Sequence, residues 1–228
     1  MIKFLELVKA RPDISVERFH FYWRVVHTPL VCKISRLLGY IQNHRIDDGV
    51  WGFKPSGYQG ILEIWFPHSG PIQDIKLDDP EYLDHAYPDE ANFLDFPNCA
   101  LDLSNDHILK GDSKRTEPSV RVFLIIRRKS DVEEKDFVSH LLGQAAEQIV
   151  AAVPSATRIT MTLPDRGAPF KHGEYYDACL AFSFSHVAIA DAARDCYPAL
   201  AEALGDVVDL DATTSMLTEE VIGRAFAG

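Results

Sequence analysis

No hydrophobic run in these 228 residues approaches the roughly 18 that a membrane-spanning helix needs, although the hydrophobic content is an ordinary 46%. Met1–Ala10, MIKFLELVKA, is too short and too charged for a signal peptide and reads as a strand. Cysteine is sparse: Cys32, Cys99, Cys179 and Cys196 are scattered, with no CxxC pair, so free thiols in a cytoplasmic protein are expected. The net charge is −11 and no basic cluster is longer than Arg127-Arg128-Lys129, which argues against the positive stripe of a nucleic-acid-binding surface. No G-x-S-x-G elbow, P-loop or G-x-G-x-x-G follows a strand, so triad-hydrolase, nucleotide and Rossmann readings are set aside. His20, His27, His44, His68 and His85, with Asp89 and Glu90, could in principle serve a metal. There is, however, no HExxH and no histidine pair at i, i+4, and no metal is expected.

What the sequence does have is concentrated between Ser15 and His44, SVERFHFYWRVVHTPLVCKISRLLGYIQNH. Ser15 is a good helix N-cap and Glu17 complements the dipole in the first turn. Phe19, Trp23, Leu30, Ile34 and Leu37 recur at helical spacing and define a buried stripe. His20, Trp23 and His27 fall at i, i+3 and i+7, so both imidazoles flank an aromatic on nearly one face. Pro29 lacks an N–H and clashes with the carbonyl of Val25, so the expected helix over Ser15–Leu37 should bend or loosen where His27 sits.

The order of elements repeats. Strand (Ile2–Val8), helix (Ser15–Leu37), strands (Tyr40–Ile46, Tyr58–Phe66), helix (about Ile72–Tyr82) and strand (Cys99–Leu109) precede a polar linker over Asp106–Pro118. The same order returns as strand (Val120–Arg127), helix (Val132–Ala151), strands (Thr157–Leu163, Tyr175–Phe184), helix (Val187–Ala203) and strand (Val207–Leu217), with a last short helix over Thr218–Phe226. The expected class is α+β: two ferredoxin-like βαββαβ halves, residues 1–109 and 118–228, packed sheet to sheet as an intramolecular dimeric α/β barrel. Aligning Phe137 with Phe19 sets Leu141 opposite Trp23 and Ala145 opposite His27, so the second copy lacks the central imidazole. Six of the nine histidines and all three tryptophans also lie in the first half, which is where chemistry is expected.

The run S-x-E-x-F-x-x-Y-W-x-x-x-H-x-P-L at Ser15–Leu30 resembles the first helix of EthD-domain proteins of the dimeric α/β-barrel superfamily. Gly39-Tyr40, ILEIWF (Ile61–Phe66) and DEANFLD (Asp89–Asp95) fit the same resemblance. It covers nearly all of the first half; in the second, only element order and aromatic anchors survive. Most members are single-domain homodimers, and the tandem form is similar to bacterial chalcone isomerase-like members. The resemblance implies an enzyme that needs no cofactor, acting on a small aromatic or lactone-like compound, as an isomerase or a lyase of the dehydratase or cyclase type. Monooxygenases, haem-dependent or cofactor-free, belong to the same superfamily. A non-catalytic small-molecule binding protein is the remaining alternative, and a homodimer of pseudo-dimers is a possible assembly.

His27 matches the family's helix histidine and is the expected general acid or base. Tyr40, Gln42 and His44 share one strand face, which suits a polar pocket between sheets with Tyr40 polarising an oxygen and His44 shuttling a proton; the other reading is a solvent-facing edge. Asn43 belongs to the opposite face. Glu63, flanked by Ile61 and Trp65, is expected to orient His27 or act as a base if buried. Trp23, Trp65, His20 and Asn43 complete the candidate substrate-binding set.

Overall fold

The computed structural model describes residues 1–68, 78–167, 171–173 and 176–226. Ten strands are present among the described residues: β1 (Ile2–Val8), β2 (Gly39–Asp48), β3 (Lys54–Pro55), β4 (Gly60–Phe66), β5 (Ala100–Lys110), β6 (Val120–Ile126), β7 (Arg158–Pro164), β8 (Lys171–His172), β9 (Ala178–Phe184) and β10 (Thr214–Arg224). Eight of them close into an antiparallel barrel in the order β1-β4-β2-β10-β6-β9-β7-β5, with β5 returning to β1. The halves therefore do not stack as two separate sheets. They join edge to edge, through β2–β10 on one side and β5–β7 on the other. Closure satisfies the backbone groups that open sheets would leave at their edges.

Alternation along the strands divides two environments. Leu5, Leu7, Ile61, Ala100, Phe123, Ile125, Cys179, Ala181 and Met216 meet in one cluster drawn from both halves, which is the barrel interior. The intervening residues point outward under the helices. In the second half, Val122, Leu124, Phe182 and Phe184 pack beneath α4 (Glu134–Leu142), α5 (Gln144–Ala152), α6 (Val187–Ala192) and α7 (Tyr197–Leu204). Phe137, Leu141 and Ala145 are all buried there, so the positions aligned with Phe19, Trp23 and His27 are plain core.

Several expected boundaries move. The long second-half helix is interrupted at Gly143, and the next is divided by a 3-10 turn at Arg194–Cys196 before Pro198 opens α7. Thr218–Phe226 is not a helix: β10 runs to Arg224 and supplies the seam to β2. The linker is shorter than expected, because β5 continues to Lys110, and Arg115 within it is buried. The helix expected near Ile72–Tyr82 falls largely outside the described residues. A π-helical turn, Tyr82–Ala86, leads there into α3 (Tyr87–Glu90).

Candidate active site

Ser15 caps α1 (Val16–Phe21), its side chain accepting from the Arg18 N–H at 3.2 Å. The helix then widens into a π turn, Tyr22–His27, before α2 (Thr28–Val31). The loosening expected from Pro29 takes this form: the Thr28 N–H reaches back to the Trp23 carbonyl, five residues away. Leu30 is only partly buried, and Ile34 and Leu37 complete the apolar stripe from turns beyond the helix end. Glycine at position 223 permits this helix to seat on the sheet, since a Cβ there would lie 2.7 Å from the Tyr40 ring and 2.8 Å from the Thr28 methyl.

A cavity of about 270 Å³ lies between this helical layer and the outer face of β1, β4 and β2. It is therefore within the first half and outside the barrel, not in a cleft between two sheets. Its floor is apolar, from Phe4, Leu62 and Ile64; His27, Tyr40, Glu6, Tyr82 and Glu90 are among its polar groups, with Arg36, His68, Asp78 and Asp79 also on the wall.

His27 is 3% exposed, with its Nδ1 2.9 Å from Oδ2 of Asp89. The other oxygen of Asp89 accepts from the Tyr22 hydroxyl at 2.6 Å and from Asn92 Nδ2 at 3.0 Å. Burial opposes ionisation of Asp89, but bonds from Tyr22, His27 and Asn92 outweigh it and hold the carboxyl below its usual range. Burial likewise holds His27 below its ordinary 6.5, despite the attraction of Asp89. A neutral imidazole facing an ionised carboxylate carries its proton on Nδ1. Nε2 is then a lone pair available to a ligand, the arrangement of a general base.

Tyr40 Oη accepts from Trp23 Nε1 at 3.2 Å and from Gln42 Nε2 at 2.9 Å. Burial keeps the phenol well above its ordinary pKa, so it remains protonated. Tyr40 is wholly buried and borders the cavity, and Gln42 Nε2 also lies within hydrogen-bond distance of the Trp23 carbonyl and the Thr28 hydroxyl. The orientation of Gln42 is fixed from behind. Its Oε1 is 2.8 Å from His44 Nε2, and His44 Nδ1 is 2.8 Å from His20 Nδ1. Burial first, then neighbouring charge, lowers His20 to about 4 and His44 to about 3, so both are neutral near pH 7. Because Gln42 presents its NH₂ to Tyr40, His44 donates through Nε2 and receives from His20. His20, His44, Gln42 and Tyr40 thus form one buried hydrogen-bonded chain, in which Tyr40 is the member that borders the cavity.

Glu63 does not reach His27. It is on the interior face of β4, where Lys3 Nζ lies 2.8 Å away, Arg115 Nη2 3.1 Å and Asn43 Nδ2 3.1 Å, with Arg121 closer still. Burial raises this carboxyl, but Arg115, Arg121 and Lys3 reverse the effect and leave it well below its usual range. Trp65 shares that interior face, stacked on Phe226 at 4.6 Å. Asn43, Glu63 and Trp65 are therefore barrel-interior groups, and Asp89 holds the place expected for Glu63. Trp23 reaches the cavity only through Tyr40.

Glu6 and Asp89 were the residues hardest to find in sequence. Glu6 is the single carboxylate in the apolar strand IKFLELV, and Asp89 opens the DEANFLD segment. Burial lifts Glu6 to about 7. Glu90 rises to about 8, from burial and then from Glu6 and Asp89. Among the described residues no three His, Cys, Asp or Glu side chains gather as metal ligands, and no helix is long and apolar enough to cross a membrane.

Residues 11–97 match the family model of the EthD domain. The first half of this chain carries an EthD domain. Both His27 and Asp89 lie within the matched residues. A search of curated proteins finds no match. Among solved structures, the chain is similar to an anthrone oxidase-like protein (12% identity, TM-score 0.60, covering 100% of this chain and 94% of the other). It is similar also to a candidate monooxygenase from Lactobacillus acidophilus NCFM (10%, 0.52, covering 99% and 95%). A third is a chlorite dismutase variant from Candidatus Nitrospira defluvii (9%, 0.51, covering 96% and 90%). At these identities the likeness extends to the fold alone.

Proposed function

We propose that the EthD half is an acid–base enzyme that removes a proton beside a carbonyl of a small, mostly apolar ring compound. The observation that carries this reading is the convergence of the His27–Asp89 pair and Tyr40 on one cavity. His27 Nε2 takes the proton from carbon, and Tyr40 donates to the enolate oxygen that forms. The imidazolium, stabilised by Asp89, then returns the proton to a different carbon, an isomerisation; expulsion of a leaving group from the enolate would make the reaction a lyase step. None of these steps calls for a cofactor. The second half, read as a ferredoxin-like copy without the imidazole, acts as the structural partner that closes the barrel.

The likeness to an anthrone oxidase-like protein favours one further outcome for the same carbanion. An anthrone anion is electron-rich enough for dioxygen to oxidise it, giving anthraquinone and water with the proton chemistry unchanged. Two probes separate these fates. Exchange of the C1 protons of 2-tetralone into D₂O reports deprotonation, and oxygen uptake with anthrone reports oxidation. Exchange accelerated by the wild type and lost in His27→Ala supports the reading. Exchange at the uncatalysed rate with both probes inert overturns it.

A further inference from the structure

One buried polar group of the cavity wall has no work in the mechanism above. Glu6 is 8% exposed, lines the cavity wall, and its Oε1 has no hydrogen-bond partner. Its neighbour Glu90 is hydrogen-bonded to the Tyr82 hydroxyl, so the unmet capacity belongs to Glu6. A buried carboxyl oxygen without a partner is costly, and such a group in a cavity wall awaits a ligand atom.

Register fixes how far Glu6 is from Tyr40. Glu6 pairs with Leu62 of β4, and Tyr40 pairs with Ile64 of the same strand from its other side. The two polar residues therefore flank β4, their backbones about 12 Å apart, two strand spacings across and two residues along. Between them the floor is Leu62 and Ile64, with Phe4 beside them. The volume, about 270 Å³, is near twice the roughly 150 Å³ of an apolar cavity that takes one benzene ring.

We propose that the cavity takes a flat, two-ring compound with an oxygen at each end, the carbonyl at Tyr40 and His27 and a hydroxyl on Glu6. This rests on the acid–base reading and narrows it to a substrate class: fused bicyclic hydroxy-ketones and their phenolic enol forms. Glu6 is here a specificity-determining residue. It selects the distal hydroxyl and leaves the proton transfer to His27.

The test compares 2-naphthol, which mimics the enol of 2-tetralone, with 2,6-dihydroxynaphthalene by isothermal titration calorimetry on the full chain. The expected result is that the diol binds roughly ten- to hundredfold more tightly. Glu6→Leu should abolish the difference while 2-naphthol affinity stays within about twofold, and Glu6→Gln, which keeps an acceptor oxygen, should retain part of it. Equal binding of the two probes to the wild type, with 2-tetralone exchange intact, overturns the assignment of Glu6 alone. If neither probe binds and exchange is also absent, the acid–base reading fails and this inference with it.

Discussion

Replacing Glu6 with glutamine should make the protein more stable at alkaline pH and leave it unchanged in acid. Burial lifts this carboxyl from 4.5 to about 7. Between those values the folded state keeps a proton that the unfolded chain has released, so stability falls as pH rises through that window and levels off above it. At about 1.4 kcal/mol per pH unit, the full penalty approaches about 3 kcal/mol, and relaxation around the charge reduces it to about 1–3 kcal/mol. The glutamine amide is neutral at every pH and avoids the penalty. For a chain of this size, about 2 kcal/mol corresponds to a rise of roughly 4–8 °C in Tm. Thermal unfolding followed by circular dichroism at pH 4.5 and pH 8.5 would measure it. The expected gap between variant and wild type is near zero at the lower pH and several degrees at the higher. A gap that does not change with pH, or a variant less stable at pH 8.5, would refute a buried, unpartnered Glu6. A gain of this kind is what a functional carboxylate kept in an unfavourable environment should show.

Asp89→Asn should lower kcat/KM for 2-tetralone exchange by about 10²–10⁴-fold while the far-ultraviolet spectrum stays native, because the imidazole loses the partner that holds its proton on Nδ1. In the wild type the acid limb of that rate should lie below pH 6.5, since burial holds His27 down and the base must be unprotonated; a limb above 7 in the pH–rate profile would contradict it. Tyr40→Phe should cost about 10²–10³ in rate and about 1–3 kcal/mol in stability, because the buried Trp23 Nε1 loses its acceptor; exchange kinetics per folded molecule beside thermal melts read both. Glu63→Gln should do the reverse: about 3–5 kcal/mol of stability lost in urea unfolding, as Lys3, Arg115 and Arg121 lose the carboxylate they surround, with no change in 2-naphthol affinity per folded molecule.

The fold was legible where pattern and physics agree. Period-2 burial and punctuation placed most barrel strands, and the imidazole at position 27 emerged from helical spacing joined to the EthD resemblance. Pro29 announced a weakened helix, and the π turn supplies it. What sequence could not supply was the third dimension. Glu63 and Asp89 are both carboxylates near apolar residues, and only strand register assigns the first to the barrel interior. Asp89 is 62 residues from His27, so their pairing is not a spacing motif. Thr218–Phe226 reads as a helix because alternation there is broken by Glu219, Glu220 and Gly223. Its strand state depends on two neighbours, β2 and β6, that lie far off in the chain. The cavity between helix and sheet was likewise invisible, since its floor residues look like any buried strand.

Nitrogen NMR of the His27 ring, in the free protein and with saturating 2-naphthol, addresses the proton acceptor itself. The expected spectrum shows hydrogen on Nδ1 and a bare Nε2 whose resonance shifts as it accepts the naphthol hydroxyl. A proton fixed on Nε2, or a ring whose two signals ignore bound naphthol, would contradict His27 as the base.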